Sequence, residues 1–445
     1  MLSGMDREAM GRLRTWKTSS RRKPLLLEGP RQVGKTWLLK QFGQQEYRHT
    51  AYLDFEQDPA LRAVFDGDFD VTRMLSQLQL ASGAPIQPSD TLIVLDEIQA
   101  CPRALTALKY LNENANEYHI ACAGSLLGVA LHEQASFPVG KVNFLAVNPL
   151  TFAEYLSAIN QAPLAQAVAE QDWGVLRPFH ERLVEALREY LFVGGMPEAV
   201  AVFAQGRDFA AARGVQLEIL TAYDHDFSKH APSEQVPRIR AVWQSIPAQL
   251  ARQQRRFTYS QVSPGARGRT HLAAIDWLAQ AGVVHQVCRV SVPRLPLSGY
   301  ADATAFKLFL ADVGLLGALS GLGASAVIEG DRMFTEFSGS LTEQYAEMAL
   351  HAAFGRTPYF WTNGEATAEV DFVVQREHDV VPVEVKANRN LKAQSLRVYR
   401  EKFVPELSVR SSLAPYSVRD GLVDLPLYAL GGLPSLATRM VGRTA

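Results

Sequence analysis

A chain of 445 residues, 47% hydrophobic and 20% charged, has the composition of a soluble globular protein and length enough for two to four domains of about 150 residues. Its 45 Lys and Arg against 46 Asp and Glu leave a net charge of −1, which excludes a global field drawing it to nucleic acid or acidic membranes and leaves such binding to local patches. Three widely spaced cysteines cannot form a C-x-x-C metal pair and fit a reducing cytoplasm, and no segment reaches the roughly 18 apolar residues of a membrane span.

The first 23 residues are basic but interrupted by Asp6 and Glu8, with no apolar core of a signal peptide. Residues 6–17 are expected to form a short helix whose Met10, Leu13 and Trp16 pack on the first strand. That strand is Leu25 to Leu27, and it breaks into Gly29-Pro30-Arg31-Gln32-Val33-Gly34-Lys35-Thr36 before a helix beginning Thr36-Trp37. The string is G-x-x-x-x-G-K-[ST]. Loop N–H groups and the helix N-terminus hold α/β phosphates, Lys35 neutralises the β/γ oxygens, and the Thr36 hydroxyl ligates Mg²⁺. Arg31 is expected to orient the loop. ATP and Mg²⁺ are the cofactors this predicts.

Residues 51–55 alternate as a strand, and 58–65 and 71–80 have helical spacing. Thr91 to Gln99 then reads as a buried strand delivering Asp96 and Glu97 at its C-terminal end, where ligands of open α/β sheets bind. About 60 residues after the phosphate loop, Asp96 is expected to hold Mg²⁺ through water and Glu97 to polarise the attacking water. The next strand, 118–125, brings Ser125 beside these acids. Ser125 either senses the γ-phosphate and fixes the water or caps the following helix.

Taken together, GPRQVGKT, LIVLDEIQ, the AGSLL closing the fourth strand, PVGKVNFLAVNPLTFAEYL and YLFVGGMPEAV resemble the prokaryotic AAA-type ATPases that carry a C-terminal domain of unknown function, the domain-of-unknown-function-4143 family. The likeness runs over nearly the whole chain. It implies an oligomer in which a basic residue reaches the neighbouring subunit's nucleotide. The position that family fills with Arg is Lys141 here, which lacks the planar fork of a guanidinium; a solvated strand end is the alternative.

From 149 to 202 the pattern is helical, with Phe179, Leu183, Leu187 and Leu191 on one expected apolar stripe. Between 236 and 292 the order helix (238–252), strand (257–259), helix (270–282, capped by Thr270, with Leu272, Ile275, Leu278 and Ala279 inward) and strand (283–290) suits a winged helix. Arg252, Arg255, Arg256, Arg267 and Arg269 crowd its loops with no acid between Leu250 and Ile275, a local positive patch that either contacts DNA, lines a subunit interface or is merely solvated.

Further on, a helix carrying Glu343 precedes three extended stretches, the last two forming a hairpin through 376–379. Asp371 followed by Glu384-x-Lys386 resembles the core of restriction-endonuclease-like folds. Glu384 and Lys386 share one strand face within reach of Asp371, and Glu343 is expected to complete a cation site. A basic helix at 388–403 carries Gln394 and Tyr399.

The fold class expected is α/β: a P-loop AAA-type parallel sheet (1–160) with helical lid (161–230), a winged-helix-like region (231–295) and an endonuclease-like domain (296–445). The function expected is Mg²⁺-dependent ATP hydrolysis in a cytoplasmic homo-oligomer, without membrane, acting on DNA through the C-terminal half with or without cleavage. A regulatory switch and a protein-remodelling ATPase are the alternatives.

Overall fold

The computed structural model describes residues 7–125, 128–129, 140–252, 255–323, 332–364, 367–376, 378–389 and 393–436. The chain divides into two compact units, one of residues Asp6–Asn148 with Trp277–Val283, the other of Pro149–Asp276 and Val284–Ala445.

The first unit is a five-stranded parallel sheet in the order β2-β3-β4-β1-β5, formed by β1 (Leu25–Glu28), β2 (His49–Asp54), β3 (Thr91–Asp96), β4 (His119–Ala123) and β5 (Asn143–Ala146). All six residues of β3 are buried, as a central parallel strand covered on both faces requires. One face packs Ile93, Leu95 and Ile120 against α3 (Val71–Ser82) and α4 (Pro102–Asn114). The other packs Leu25, Leu27, Leu92 and Val94 against α1 (Glu8–Thr18) and α2 (Lys35–Glu46), with Met10, Leu13 and Trp16 buried as expected. Asp70 caps α3 by accepting the Arg73 N–H at 2.6 Å, and Gly83 ends it at φ 65°. The expected helix at 58–65 is a 3₁₀ turn, Pro59–Phe65. Because β1, β4 and β3 are parallel neighbours, their C-terminal ends bring the phosphate loop, Ser125 and the Asp96-Glu97 pair to one edge.

The second unit opens with α5 (Phe152–Ala158), α6 (Ala162–Glu170), α7 (His180–Val193), α8 (Pro197–Gly206), α9 (Phe209–His230) and α10 (Val236–Leu250). Leu183, Leu187 and Leu191 of α7 are buried, whereas Phe179 precedes the helix and is 40% exposed. Gly194 ends α7 at φ 70°; a Cβ there would stand 2.3 Å from Asp312 Oδ1, so only glycine fits.

The expected strand at 257–259 is absent. One backbone bond, Phe257 N–H to the Phe306 carbonyl at 2.7 Å, holds the segment before it turns into a 3₁₀ helix at Tyr259–Gln261. Helix α11 (Gly268–Gln280) begins two residues ahead of Thr270, whose hydroxyl donates back to the Arg267 carbonyl at 2.9 Å instead of capping. Ala274, Ile275, Trp277 and Leu278 face inward and Leu272 is 44% exposed.

An eight-stranded mixed sheet follows, in the order β12-β13-β11-β10-β9-β8-β6-β7, made of β6 (Val284–Val290), β7 (Ala301–Leu310), β8 (Tyr359–Thr362), β9 (Glu369–Arg376), β10 (Asp379–Val385), β11 (Ser408–Ser412), β12 (Ser417–Arg419) and β13 (Leu422–Pro426). Strand β6 pairs antiparallel with β7 and parallel with β8, so the strand expected to close a winged helix belongs to the C-terminal sheet. The β9–β10 hairpin turns between Arg376 and Asp379 as expected. Helices α12 (Val313–Leu319), α13 (Arg332–Phe354) and α14 (Gln394–Phe403) complete the unit. Tyr399 of α14 is buried edge-on against Trp361, ring centroids 5.2 Å apart, which makes it core.

Candidate functional site

Three positions of the phosphate loop take positive φ: Gly29 at 143°, Gln32 at 64° and Gly34 at 91°. A Cβ on Gly29 would lie 2.1 Å from the Val147 carbonyl oxygen, so the loop depends on glycine where it passes β5. Val33 is buried under the loop, Trp37 packs partly buried beside it, and Arg31 is half-buried. Lys35 is 7% exposed, and its Nζ donates to the carbonyls of Gly29 at 2.8 Å and Pro30 at 2.9 Å. Burial pushes its ammonium down to about 8, against the pull of Glu97 and Asp96 and with help from Arg31.

Asp96 is 2% exposed and accepts the Tyr52 hydroxyl at 2.7 Å, the Glu97 N–H at 3.0 Å and the Thr36 hydroxyl. Burial raises its carboxyl above the ordinary range despite these donors. Thr36 and Asp96 therefore meet directly, two hard oxygen ligands of the kind Mg²⁺ takes.

Glu97 sits in the left-handed region at φ 49°, an uncommon conformation for a non-glycine residue and one often found at functional turns. It turns the carboxylate away from the line of β3 toward β4. There the Ser125 N–H donates at 2.9 Å, the Ser125 hydroxyl at 2.6 Å and Gln99 Nε2 at 2.6 Å. Burial alone would raise this carboxyl; the Ser125 and Gln99 donors, with Lys35 nearby, hold it below its usual value. A Cβ on Gly124 would come 2.1 Å from Gln99 Oε1, so the small residue before Ser125 makes room for Gln99. Helix capping by Ser125 involves residues 126 and 127, outside the described ones.

Sequence reasoning missed Gln99, which follows the acid pair at a spacing no motif marks. It also missed Arg7, 5% exposed, which donates to the Val33 carbonyl at 3.2 Å and to the Asn148 carbonyl at 2.7 Å and so clamps the loop from behind. Lys141 precedes β5 at the end of the sheet opposite the phosphate loop and pairs with Glu113 at 2.8 Å.

A second charged cluster lies in the other unit. Fully buried Lys307 of β7 pairs with Glu343 of α13 at 2.8 Å and with Glu369 of β9 at 2.6 Å. Arg255 also pairs with Glu343, so it leaves the expected surface patch for the interior while Arg252, Arg256, Arg267 and Arg269 stay exposed. Lys386 Nζ donates to Glu384 Oε1 at 2.7 Å, and Asp371 accepts the Val385 N–H at 2.8 Å. Burial, with Asp371 beside it, pushes Glu384 up to about 7. Its Oε2 is buried without a hydrogen-bond partner. Glu343, expected as a third cation ligand, is neutralised by Lys307 and Arg255. Its donor atoms and those of Asp371 and Glu384 do not converge as a metal-holding trio.

Family profiles match three segments: an AAA domain at residues 21–156, a domain of unknown function (DUF8612) at 184–326 and another (DUF4143) at 338–430. The chain therefore carries an AAA domain followed by a DUF4143 domain, the pairing that its motifs lead one to expect. Its first unit has the parallel sheet of an AAA-type ATPase that the phosphate loop implied. No curated protein sequence matches it. Among solved structures it is similar to the Walker-type ATPase PABY2304 of Pyrococcus abyssi, at 15% identity over 71% of this chain and 96% of that one with a TM-score of 0.46. The Aeropyrum pernix ORC1 protein in complex with DNA matches at 14% identity over 70% and 90% with a TM-score of 0.28. Cdc6p of Pyrobaculum aerophilum matches at 12% over 73% and 93% with a TM-score of 0.24. Among the described residues no helix is long and apolar enough to cross a membrane.

Proposed function

We propose that this ATPase hydrolyses ATP with Mg²⁺ in a cytoplasmic homo-oligomer and uses the cycle to change how its C-terminal half engages DNA. The observation that carries the hydrolytic part is the convergence of Lys35, Thr36, Asp96, Glu97 and Ser125 at one edge of the sheet. The loop amides from Gly29 to Thr36 bind the phosphates, and Lys35 exchanges its two loop carbonyls for phosphate oxygens. Thr36 and Asp96 would hold Mg²⁺, which neutralises charge on the phosphates. Glu97, kept ionised by Ser125 and Gln99, accepts a proton from the attacking water.

Support for DNA comes from Arg252, Arg256, Arg267 and Arg269, exposed within one short stretch, and from the second cluster. There the unpartnered Glu384 Oε2 fits a cation held with Asp371, and Lys386 would stabilise charge on a phosphodiester. Pairing of Glu343 with Lys307 and Arg255 favours a second reading, a switch that binds DNA without cutting it. Lys141 would serve a neighbouring subunit, since it stands away from its own phosphate loop.

Turnover measured with and without duplex and single-stranded DNA tests the proposal. Wild type should be DNA-stimulated and Lys35→Ala inactive; unaltered turnover in Lys35→Ala would defeat the phosphate-loop assignment. Cleavage lost in Asp371→Asn but kept in Glu97→Gln identifies a nuclease, and no cleavage in wild type leaves the switch.

A further inference from the structure

Away from both charged sites, three metal-ligating side chains meet between β6 and α13. Glu347 and His351 stand four residues apart on α13, hence on one helix face, and His285 reaches them from β6. Among the described residues, this is the trio of His, Cys, Asp or Glu whose donor atoms all lie within 4.8 Å of one another. Glu347 has no exposed side-chain surface, and both its oxygens face His285 Nδ1, at 3.0 and 2.9 Å. The His285 and His351 rings stack with centroids 3.9 Å apart and planes 10° from parallel. Thr357 Oγ1 lies 3.3 Å from His351 Nδ1 and steadies that ring from outside the trio.

We propose that His285, Glu347 and His351 bind a divalent transition-metal ion of the zinc class. A carboxylate with no access to water needs a positive partner, because an uncompensated buried charge is strongly destabilising. The hydrogen bond from His285 brings no such partner by itself, and the His351 ring stacked on it at 3.9 Å crowds that face of the imidazole. A divalent cation supplies the charge and uses both rings as neutral donors. Two nitrogens and one oxygen with further positions left to water is a ligand set found for zinc and for non-haem iron, and imidazole disfavours Mg²⁺ and Ca²⁺. Imidazole lone pairs lie in the ring plane, so binding turns one of the stacked rings edge-on to the ion. The ion would then join β6, at the start of the C-terminal sheet, to α13.

Co²⁺ titrated into the tag-free 445-residue chain reads the site directly, since four- or five-coordinate ligation by two imidazoles, a carboxylate and water gives visible d–d absorption of an intensity that octahedral sites lack. One equivalent should bind with that signature and be displaced by Zn²⁺, and Zn²⁺ should raise the melting temperature. Outer-shell changes alone cost about 10- to 100-fold in metal affinity. His285→Gln and His351→Gln should therefore weaken Co²⁺ binding at least about tenfold and abolish the Zn²⁺-induced rise, while Asp96→Asn and Asp371→Asn keep both. Circular dichroism of each variant separates a lost ligand from a lost fold, with Glu347→Gln as the more conservative replacement. No absorption band in wild type, or a band that survives both histidine changes in folded protein, would overturn the proposal and leave His285 and Glu347 as a hydrogen-bonded pair.

Discussion

At the scale of single residues, the nucleotide site turns on the hydrogen bonds that set Glu97. Ser125 supplies two of its donors, at 2.9 Å from N–H and 2.6 Å from the hydroxyl, and these hold the carboxyl below its ordinary value against burial. A general base works only when deprotonated, so the proposed role of Glu97 predicts that turnover is lost as pH falls through its pKa. In Ser125→Ala the pKa rises, and the acid limb of the pH–rate profile should move to higher pH with a smaller loss at neutral pH; an unmoved limb means Ser125 does not tune the base. Glu97→Gln should cost about 10² to 10⁴ in kcat while leaving nucleotide affinity within a few-fold. Asp312 shows the opposite tuning. Fully buried, it accepts the Gly195 N–H at 2.6 Å and the Leu315 N–H at 2.9 Å, yet burial raises it from 3.8 to about 6. A carboxyl whose folded pKa exceeds its unfolded one stabilises the fold when protonated. That contribution is complete below 3.8 and is lost as pH rises through about 6. Thermal melts from pH 4 to 7 should fall less steeply with pH in Asp312→Asn than in wild type.

At the scale of elements, the junction between α7 and α12 is built on backbone that tolerates no side chain. Gly194 has φ 70°, and a Cβ on it would meet Asp312 Oδ1 at 2.3 Å and the Gly314 nitrogen at 2.8 Å. Gly194→Ala thus combines φ strain with a clash against a buried carboxylate. It should destabilise by about 2 to 4 kcal/mol, read as a lower urea midpoint at unchanged slope. Elements whose sequence repeats their environment are legible in it. Strand β3 is apolar from Leu92 to Leu95 because both its faces are covered, and β9 alternates from Glu369 to Phe372 because its two faces are covered unevenly there. The segments misread were those whose form is imposed from a distance. Phe257 is extended only where the Phe306 carbonyl takes its N–H, and its ring stacks on Phe306 with centroids 5.3 Å apart, a contact across about 50 residues that no local pattern announces. Arg255 shares the composition of its exposed neighbours and differs only in having Glu343 before it. In the candidate site, the motif marks Lys35, Thr36, Asp96 and Glu97, since a phosphate-binding loop and its acid pair constrain that spacing. Gln99 and Arg7 act through geometry that the fold alone creates.

At the scale of the molecule, a net charge of −1 means that DNA affinity has to come from a confined region, and this makes the proposal sharply testable. Each phosphate neutralised by Lys or Arg releases counterions, so the logarithm of the binding constant falls with the logarithm of salt at a slope of about −0.9 per contact. Arg252, Arg256, Arg267 and Arg269 are exposed, whereas Arg255 is committed to Glu343. Four contacts then give a slope near −3.6, computed as roughly 4 × −0.9, and a fifth from Arg255 is not expected. Replacing the four by Ala should flatten the slope to near zero and weaken binding uniformly across sequences, because phosphate contacts position without reading bases. The same variant should keep its DNA-independent ATP turnover, as the arginines belong to neither the phosphate loop nor the acid pair. Fluorescence anisotropy with duplex DNA at several salt concentrations measures the slope. A steep slope that persists in the quadruple variant would move the DNA contact elsewhere, and a shallow slope in wild type would assign the patch to a subunit interface.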